Sequence, residues 1–327
     1  AVEEIYLNEL NDPDAYFAFT EEETGYKINN ISKDSITYHV ALNSYKDNLY
    51  EKAIGQFESY ISKFNSGFYK TDAYYYLAES FVVLKNYKSA LHHYEKVLEQ
   101  KGSTYYASSL EKAALIAFNH SQDFSKSLRY YSELIEMNSE VNIDYLEVAL
   151  YSAFKTQDQN SVINYGQLLI DQANVSPESK SAANYYLGKT YYNLKESEKA
   201  KNAFLNVVSL SSNNQAAESS YLVAKILFEQ GQIEAAEEAA FETTSKAANY
   251  PIWVARSLVL LGDIFKEKKD YLNASAAYES VIENFTDNPE IVSSTKSKLD
   301  SLNELIEKES RVQKDIPNDF MAPDSIR

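Results

Sequence analysis

The chain has 327 residues, enough for two ordinary domains or one elongated array. Its 31 Lys and Arg stand against 48 Asp and Glu, and the resulting −17 charge repels nucleic acid and anionic membrane surfaces. The absence of Cys excludes a disulfide framework, thiol catalysis and Cys-ligated metals, and no apolar run reaches the roughly 18 residues of a spanning helix.

Only 8 Gly and 6 Pro in a chain that is 44% hydrophobic predict long helices with short connections. The start at Ala1, without Met or a signal peptide, reads as a processed or excised piece from which an anchor or export signal could have been removed. Residues 1–33 are expected to form an N-terminal helix over Val2 to Leu10, ended by Asn11-Asp12-Pro13, and then a polar connector. Asp12, Asp14 and Glu23 fall at positions 1, 3 and 12 of a calcium-loop template. Tyr16 and Phe17 occupy the places where that loop needs an oxygen ligand and Gly, so Pro13 reads better as a helix or turn start.

The most regular stretch is Thr71 to Leu98. Tyr74, Leu77, Ala78 and Phe81 form one helical stripe; after Lys85-Asn86 a second begins with Tyr87, Ala90, Leu91, Tyr94, Val97 and Leu98. Two amphipathic helices around a short turn make a hairpin with Ala78 and Ala90 at the close approach. Aligned on the small residue opening the second helix, the hairpin recurs at Ala53, Ala90, Ser127, Ser161, Ala200, Ala236 and Ala274. Twelve residues earlier stand Ala41, Ala78, Leu115, Ala149, Gly188, Ala224 and Gly262; four residues later stand Phe57, Tyr94, Tyr131, Tyr165, Phe204, Ala240 and Tyr278.

This register resembles the tetratricopeptide repeat, with small residues at its eighth and twentieth positions and an aromatic at the twenty-fourth. The resemblance implies an all-α, right-handed superhelical solenoid: about seven hairpins over 34–289, a C-terminal capping helix over 290–314, and an extended or disordered tail over 315–327. In this register the third and fourth units lack small residues (Leu115, Ser127, Ser161). Gly166 inside a predicted helix marks a place to bend or open, at a helix cost of about 1 kcal/mol against Ala. The blocks Tyr250–Ala274 and Ala216–Glu237, with the Asp34–Tyr45 opening, further resemble the C-terminal part of large Bacteroidota envelope tetratricopeptide proteins, described as Tol-Pal YbgF-like. That similarity implies a periplasmic or outer-membrane-associated location.

No HExxH, GxSxG, GxGxxG or GxxxxGK motif is present, and adjacent His92 and His93 point about 100° apart on a helix, unsuited to chelating one metal. The expectation is a non-enzyme without cofactor or metal. What the resemblance offers instead is a concave groove lined by the first helix of each pair. Its residues here are Tyr38, Tyr45, Tyr75, Glu79 and Val82 near the start, then Tyr185, Lys189, Tyr192, Tyr221, Lys225, Phe228 and Glu229. Aromatics there suit a peptide, helix or protein partner, although the same positions also suit rings packed between neighbouring first helices. Lys, Asn and Arg of a carboxylate clamp are missing, since Ile116 and Leu150 occupy two of the groove positions. The function expected is therefore a protein-interaction scaffold. Alternatives are a structural subunit of an outer-membrane assembly, secretion or gliding machine that uses its outer face or tail, and a glycan- or peptidoglycan-associated module whose Tyr rings stack on sugars.

Overall fold

The computed structural model describes residues 2–314; the tail expected over 315–327 lies outside them. All regular structure among the described residues is helical. A short α1 (Val2–Glu4) runs into a π turn (Ile5–Glu9), and α2 (Pro13–Thr24) follows. Seven helix pairs come next: α3 (Asn30–Lys46) with α4 (Tyr50–Lys63), α5 (Lys70–Val83) with α6 (Tyr87–Leu98), and α7 (Tyr106–Ile116) with α8 (Phe124–Met137). Then come α9 (Ile143–Lys155) with α10 (Gln159–Ile170), α11 (Pro177–Asn193) with α12 (Ser197–Leu210), α13 (Asn214–Glu229) with α14 (Ile233–Lys246), and α15 (Pro251–Glu267) with α16 (Tyr271–Asn284). Helix α17 (Pro289–Lys314) closes the array, with Leu302 fully buried against Ala274 and Tyr278. The chain divides into two compact units between Tyr165 and Gly166.

Every pair turns by the same device. One residue takes the left-handed conformation (Asn48, Lys85, Gln122, Gln157, Lys195, Gly231 or Lys269), and the next backbone N–H reaches back to a carbonyl of the first helix. In most turns that bond spans five residues, as from Asn86 to Phe81 and from Glu196 to Tyr191, which is the Schellman closure. Six of these seven residues carry a Cβ that the left-handed region disfavours. Replacing Lys85, Lys195 and Lys269 by Gly is therefore expected to stabilise the protein, by about 0.5–1 kcal/mol per site, read as higher urea midpoints.

The turn bonds also explain two departures from the sequence register. In the third pair the bond from Asp123 spans six residues, to Ala117, because a π turn over Ala117–Ser121 inserts one residue. The small residue at the close approach is thus Ala114, fully buried, while Leu115 is half exposed. In the fourth pair Asp158 caps the second helix, and the residue four later is buried Val162; Ser161 bonds the Asp158 side chain instead. Helix α10 runs unbroken through Gly166, where a Cβ would press on Leu187 Cγ at 2.8 Å.

The N-terminal segment corrects a further expectation. Residues Pro13–Thr24 are a helix, not a connector: Asp12 caps it by accepting from the Ala15 N–H, and Pro13 opens it. Asn11 is left-handed and Asp12 N–H bonds Tyr6 carbonyl across a π turn, the same closure as in the third pair. This piece is a further hairpin docked on α3, with Tyr6 and Phe19 in ring contact and Phe17 buried under Lys33. Tyr16 stands where the register looks for a small residue, so the pattern was hidden.

Packing follows the repeat. Leu77, Ala78, Ala90 and Tyr94 of the second pair are fully buried, as the stripes predict. His93 is sandwiched between Phe81 (ring centroids 5.5 Å) and Tyr74 (6.0 Å), and its Nδ1 has no hydrogen-bond partner among the described residues. Burial, aided by neighbouring His92, lowers its pKa from 6.5 to about 4. Above pH 6.5 the ring is neutral in both states. Between 6.5 and 4 only the unfolded chain takes the proton, so stability falls as pH falls through that window. His93→Phe keeps the ring stack and removes the proton site. It is expected to lose about 1 kcal/mol less stability than wild type between pH 7.5 and pH 5, measured by urea unfolding.

Candidate partner-binding face

In the first unit, the first-helix aromatics are occupied within the stack. Tyr38 is only 3% exposed, and its ring lies parallel to Tyr69 at 4.4 Å. It belongs to the core, which corrects its expected place in a groove. Tyr75 is covered in the same way by Tyr105, at 4.2 Å, and its hydroxyl lies 3.3 Å from Ser108 Oγ. Tyr45 packs against Tyr76 at 5.0 Å, and burial pushes its hydroxyl up to about 12. Val82 remains partly exposed.

Glu79 is likewise engaged. It accepts from the Tyr94 hydroxyl of its own pair and binds Lys112 Nζ of the next through both oxygens at 2.6 Å. Burial, with the Glu79 bond, raises the Tyr94 hydroxyl and keeps it a donor. The same device recurs within the second unit: Asp263 accepts from Tyr278 at 2.7 Å and from Lys298 of α17 at 2.6 Å. Expected groove positions Ile116 and Leu150 are also buried.

The second unit brings the remaining predicted residues together on consecutive first helices. Glu218 of α13 accepts from Tyr185 (2.7 Å) and Lys189 (2.6 Å) of α11. One turn on, Tyr192 donates to Glu229 at 3.0 Å, and Lys225 lies 5.6 Å from the Tyr192 ring and 3.7 Å from Glu229. Tyr221 meets Trp253 at 5.8 Å, and the Arg256 guanidinium lies 4.8 Å over the Trp253 ring. Phe228 packs by one side on the core around Leu260 and Leu261. Tyr185, Lys189, Tyr192, Tyr221, Lys225 and Phe228 are all partly exposed and Glu229 is exposed, so this strip is rigidly held and open to solvent.

Sequence reasoning missed the aromatics that cover the fifth position from the following pair. Tyr69, Tyr105 and Trp253 stand 30 to 32 residues after Tyr38, Tyr75 and Tyr221, a spacing visible in the sequence but close to the repeat length itself. It also missed Glu218, a buried carboxylate whose two donors lie on the preceding pair.

Seven consecutive helical hairpins with one turn closure and a capping helix define a helical-repeat protein. A family model described as a tetratricopeptide repeat-like domain matches residues 127–304, more than half of the chain, and a tetratricopeptide repeat model matches 72–100. The chain belongs to the tetratricopeptide repeat-like family. Among solved structures it is similar to the C-terminal part of a TPR repeat-containing protein from Cytophaga hutchinsonii. The identity is 18% over 78% of this chain and 98% of that one, with a TM-score of 0.50, a likeness of fold alone. A tetratricopeptide repeat protein from Parabacteroides merdae is similar at 14% identity, 80% and 99% coverage and TM-score 0.38. YrrB, a TPR protein with an unusual peptide-binding site, is similar at 16% identity, 61% and 95% coverage and TM-score 0.43. No curated protein matches.

Proposed function

We propose that this chain is a non-enzymatic scaffold whose second unit holds a peptide or helical segment of a partner protein on its first-helix face. The observation that carries the reading is exposed Glu229 beside partly exposed Tyr192, Lys225 and Phe228 on consecutive first helices. In the first unit Tyr38 is buried, and partly exposed Tyr45, Tyr75 and Glu79 pack on Tyr76, Tyr105 and Lys112. Tyr192, Tyr221 and Phe228 stay partly exposed in the second, with Trp253 buried against Tyr221. Rigid aromatic rings give large contact area at low entropy cost, and the Lys225–Glu229 and Lys189–Glu218 pairs flank them with fixed charge. The envelope location belongs to the same proposal and is supported by the Tyr250–Ala274 and Ala216–Glu237 blocks of the sequence; fractionation of the source cells tests it.

Tyr192→Ala combined with Phe228→Ala is expected to abolish capture of the partner while the helical circular-dichroism signal at the assay temperature is unchanged. Undiminished capture by that variant would refute this face. Exposed Leu205 and Phe241, both on second helices of the same unit, favour the outer face as a second reading. Paired Ala substitutions there discriminate the two.

A further inference from the structure

Glu218 and Asp72 hold the same place in the repeat, six residues before the small residues Ala224 and Ala78 on which their hairpins close. The preceding first helices match in part. Three residues before its own small residue each carries a tyrosine, Tyr185 in α11 and Tyr38 in α3. One residue after it, however, stand Lys189 in α11 and Leu42 in α3. In the second unit the acid is fully partnered: Glu218 accepts from the Tyr185 hydroxyl at 2.7 Å and from the Lys189 ammonium at 2.6 Å. In the first unit the ammonium has no counterpart, because Leu42 is buried and its side chain carries no donor.

Asp72 is left without a partner. It is partly exposed and, among the described residues, its carboxylate forms no ion pair and accepts no hydrogen bond. Burial raises its carboxyl, and no cation opposes that shift. Oxygen atoms stand around it. Tyr38 is 3% exposed, and its hydroxyl has no hydrogen bond among the described residues. Burial first, and the Asp72 charge next, raise that hydroxyl. The Tyr105 hydroxyl, 3.1 Å from that of Tyr76, is raised by burial and Tyr76 first, and the Asp72 charge adds to them. Tyr69 covers one face of Tyr38 at 4.4 Å, and Tyr75 covers one face of Tyr105 at 4.2 Å, so stacking takes up ring surface and leaves oxygen to a ligand. A carboxylate withdrawn from water is costly alone, and a charged donor at hydrogen-bond distance offsets that cost.

We propose that Asp72 binds a primary alkylammonium group supplied from outside this chain, in the place that Lys189 fills for Glu218. The protein's own second copy of the arrangement selects the ligand: the same acid position beside the same tyrosine position takes an ammonium. A primary ammonium is compact and has three N–H donors for the carboxylate and the neighbouring hydroxyl oxygens, whereas a quaternary one has none. The group can come on a free amine or on a lysine side chain. The site lies in the first unit and does not rest on the reading of the second-unit face.

The test uses the whole protein and butylammonium chloride at constant ionic strength, while the Leu42 methyl resonances are followed by NMR. They are assigned by their loss in Leu42→Ile. A saturable shift is expected with butylammonium and none with n-butanol. Tetramethylammonium, a cation without N–H donors, is expected to bind about tenfold more weakly. Asp72→Asn keeps the shape of the side chain and is expected to lose the saturable shift, while the Tyr192→Ala/Phe228→Ala protein binds as wild type does. N-acetyl-lysine methylamide binding as tightly as butylammonium would assign a lysine side chain as the source, and binding by butylammonium alone would assign a free amine. A shift that stays linear to high ligand concentration, equal saturation by n-butanol or tetramethylammonium, or saturation retained in Asp72→Asn would each overturn the proposal. So would loss of binding in the Tyr192→Ala/Phe228→Ala protein.

Discussion

Gly262→Ala is expected to destabilise the second unit by about 1–3 kcal/mol, although Ala is the better helix former by about 1 kcal/mol. A Cβ at Gly262 would lie 2.6 Å from Tyr278 Cδ1 and overlap the rest of that ring edge. Tyr278 cannot retreat: it is 1% exposed, and its hydroxyl is tied to Asp263, which Lys298 holds from the other side. Gly55→Ala has the opposite expected sign. Gly55 lies inside α4, and a Cβ added there would meet nothing within 4 Å, so the helix gain of about 1 kcal/mol is unopposed. Trp253, the sole Trp, reports the second unit, so the Gly262→Ala loss is read from fluorescence-detected urea unfolding. Equal midpoints for Gly262→Ala and wild type would contradict the close approach assigned to α15 and α16.

Glu79→Ala is expected to cost about 2–4 kcal/mol, a large effect for a residue that looks like surface charge in the sequence. The loss comes from two partners left together: the buried Tyr94 hydroxyl and the Lys112 ammonium that bridges to the next pair. Adding Tyr94→Phe to Glu79→Ala removes one orphaned donor and is expected to recover about 1 kcal/mol, a non-additivity that a double-mutant cycle resolves. If Glu79→Ala instead kept full stability and lost partner binding, Glu79 would be a recognition residue and not a strut.

The repeat itself was legible in the sequence because burial forces period. Ala at positions eight and twenty, and an aromatic at twenty-four, are the residues on which a hairpin closes, and the structure buries Ala41, Ala53, Phe57, Ala78, Ala90 and Tyr94. What escaped was whatever shifts the count by one or lies across pairs. The π turn at Ala117–Ser121 leaves no compositional mark, so Leu115 took the place of Ala114. The N-terminal hairpin has Tyr16 where a small residue is sought. The candidate face suffered from a different ambiguity. Tyr38 and Tyr185 look alike in the register; a neighbouring ring, Tyr69, buries the first, while the second stays partly exposed. Which partner a side chain finds on the next pair is a property of packing, and spacing alone does not encode it.

The central claim is that the first-helix face of the second unit holds a partner. Its most direct measurement places a photo-crosslinking amino acid, in separate variants, at Phe228, Val82 and Leu205, followed by irradiation in the source cells. Adducts at Phe228 that vanish when Tyr192→Ala is added, with none at Val82 or Leu205, are the predicted result. A partner captured from Leu205 or Val82 while Phe228 stays unlinked would contradict the account.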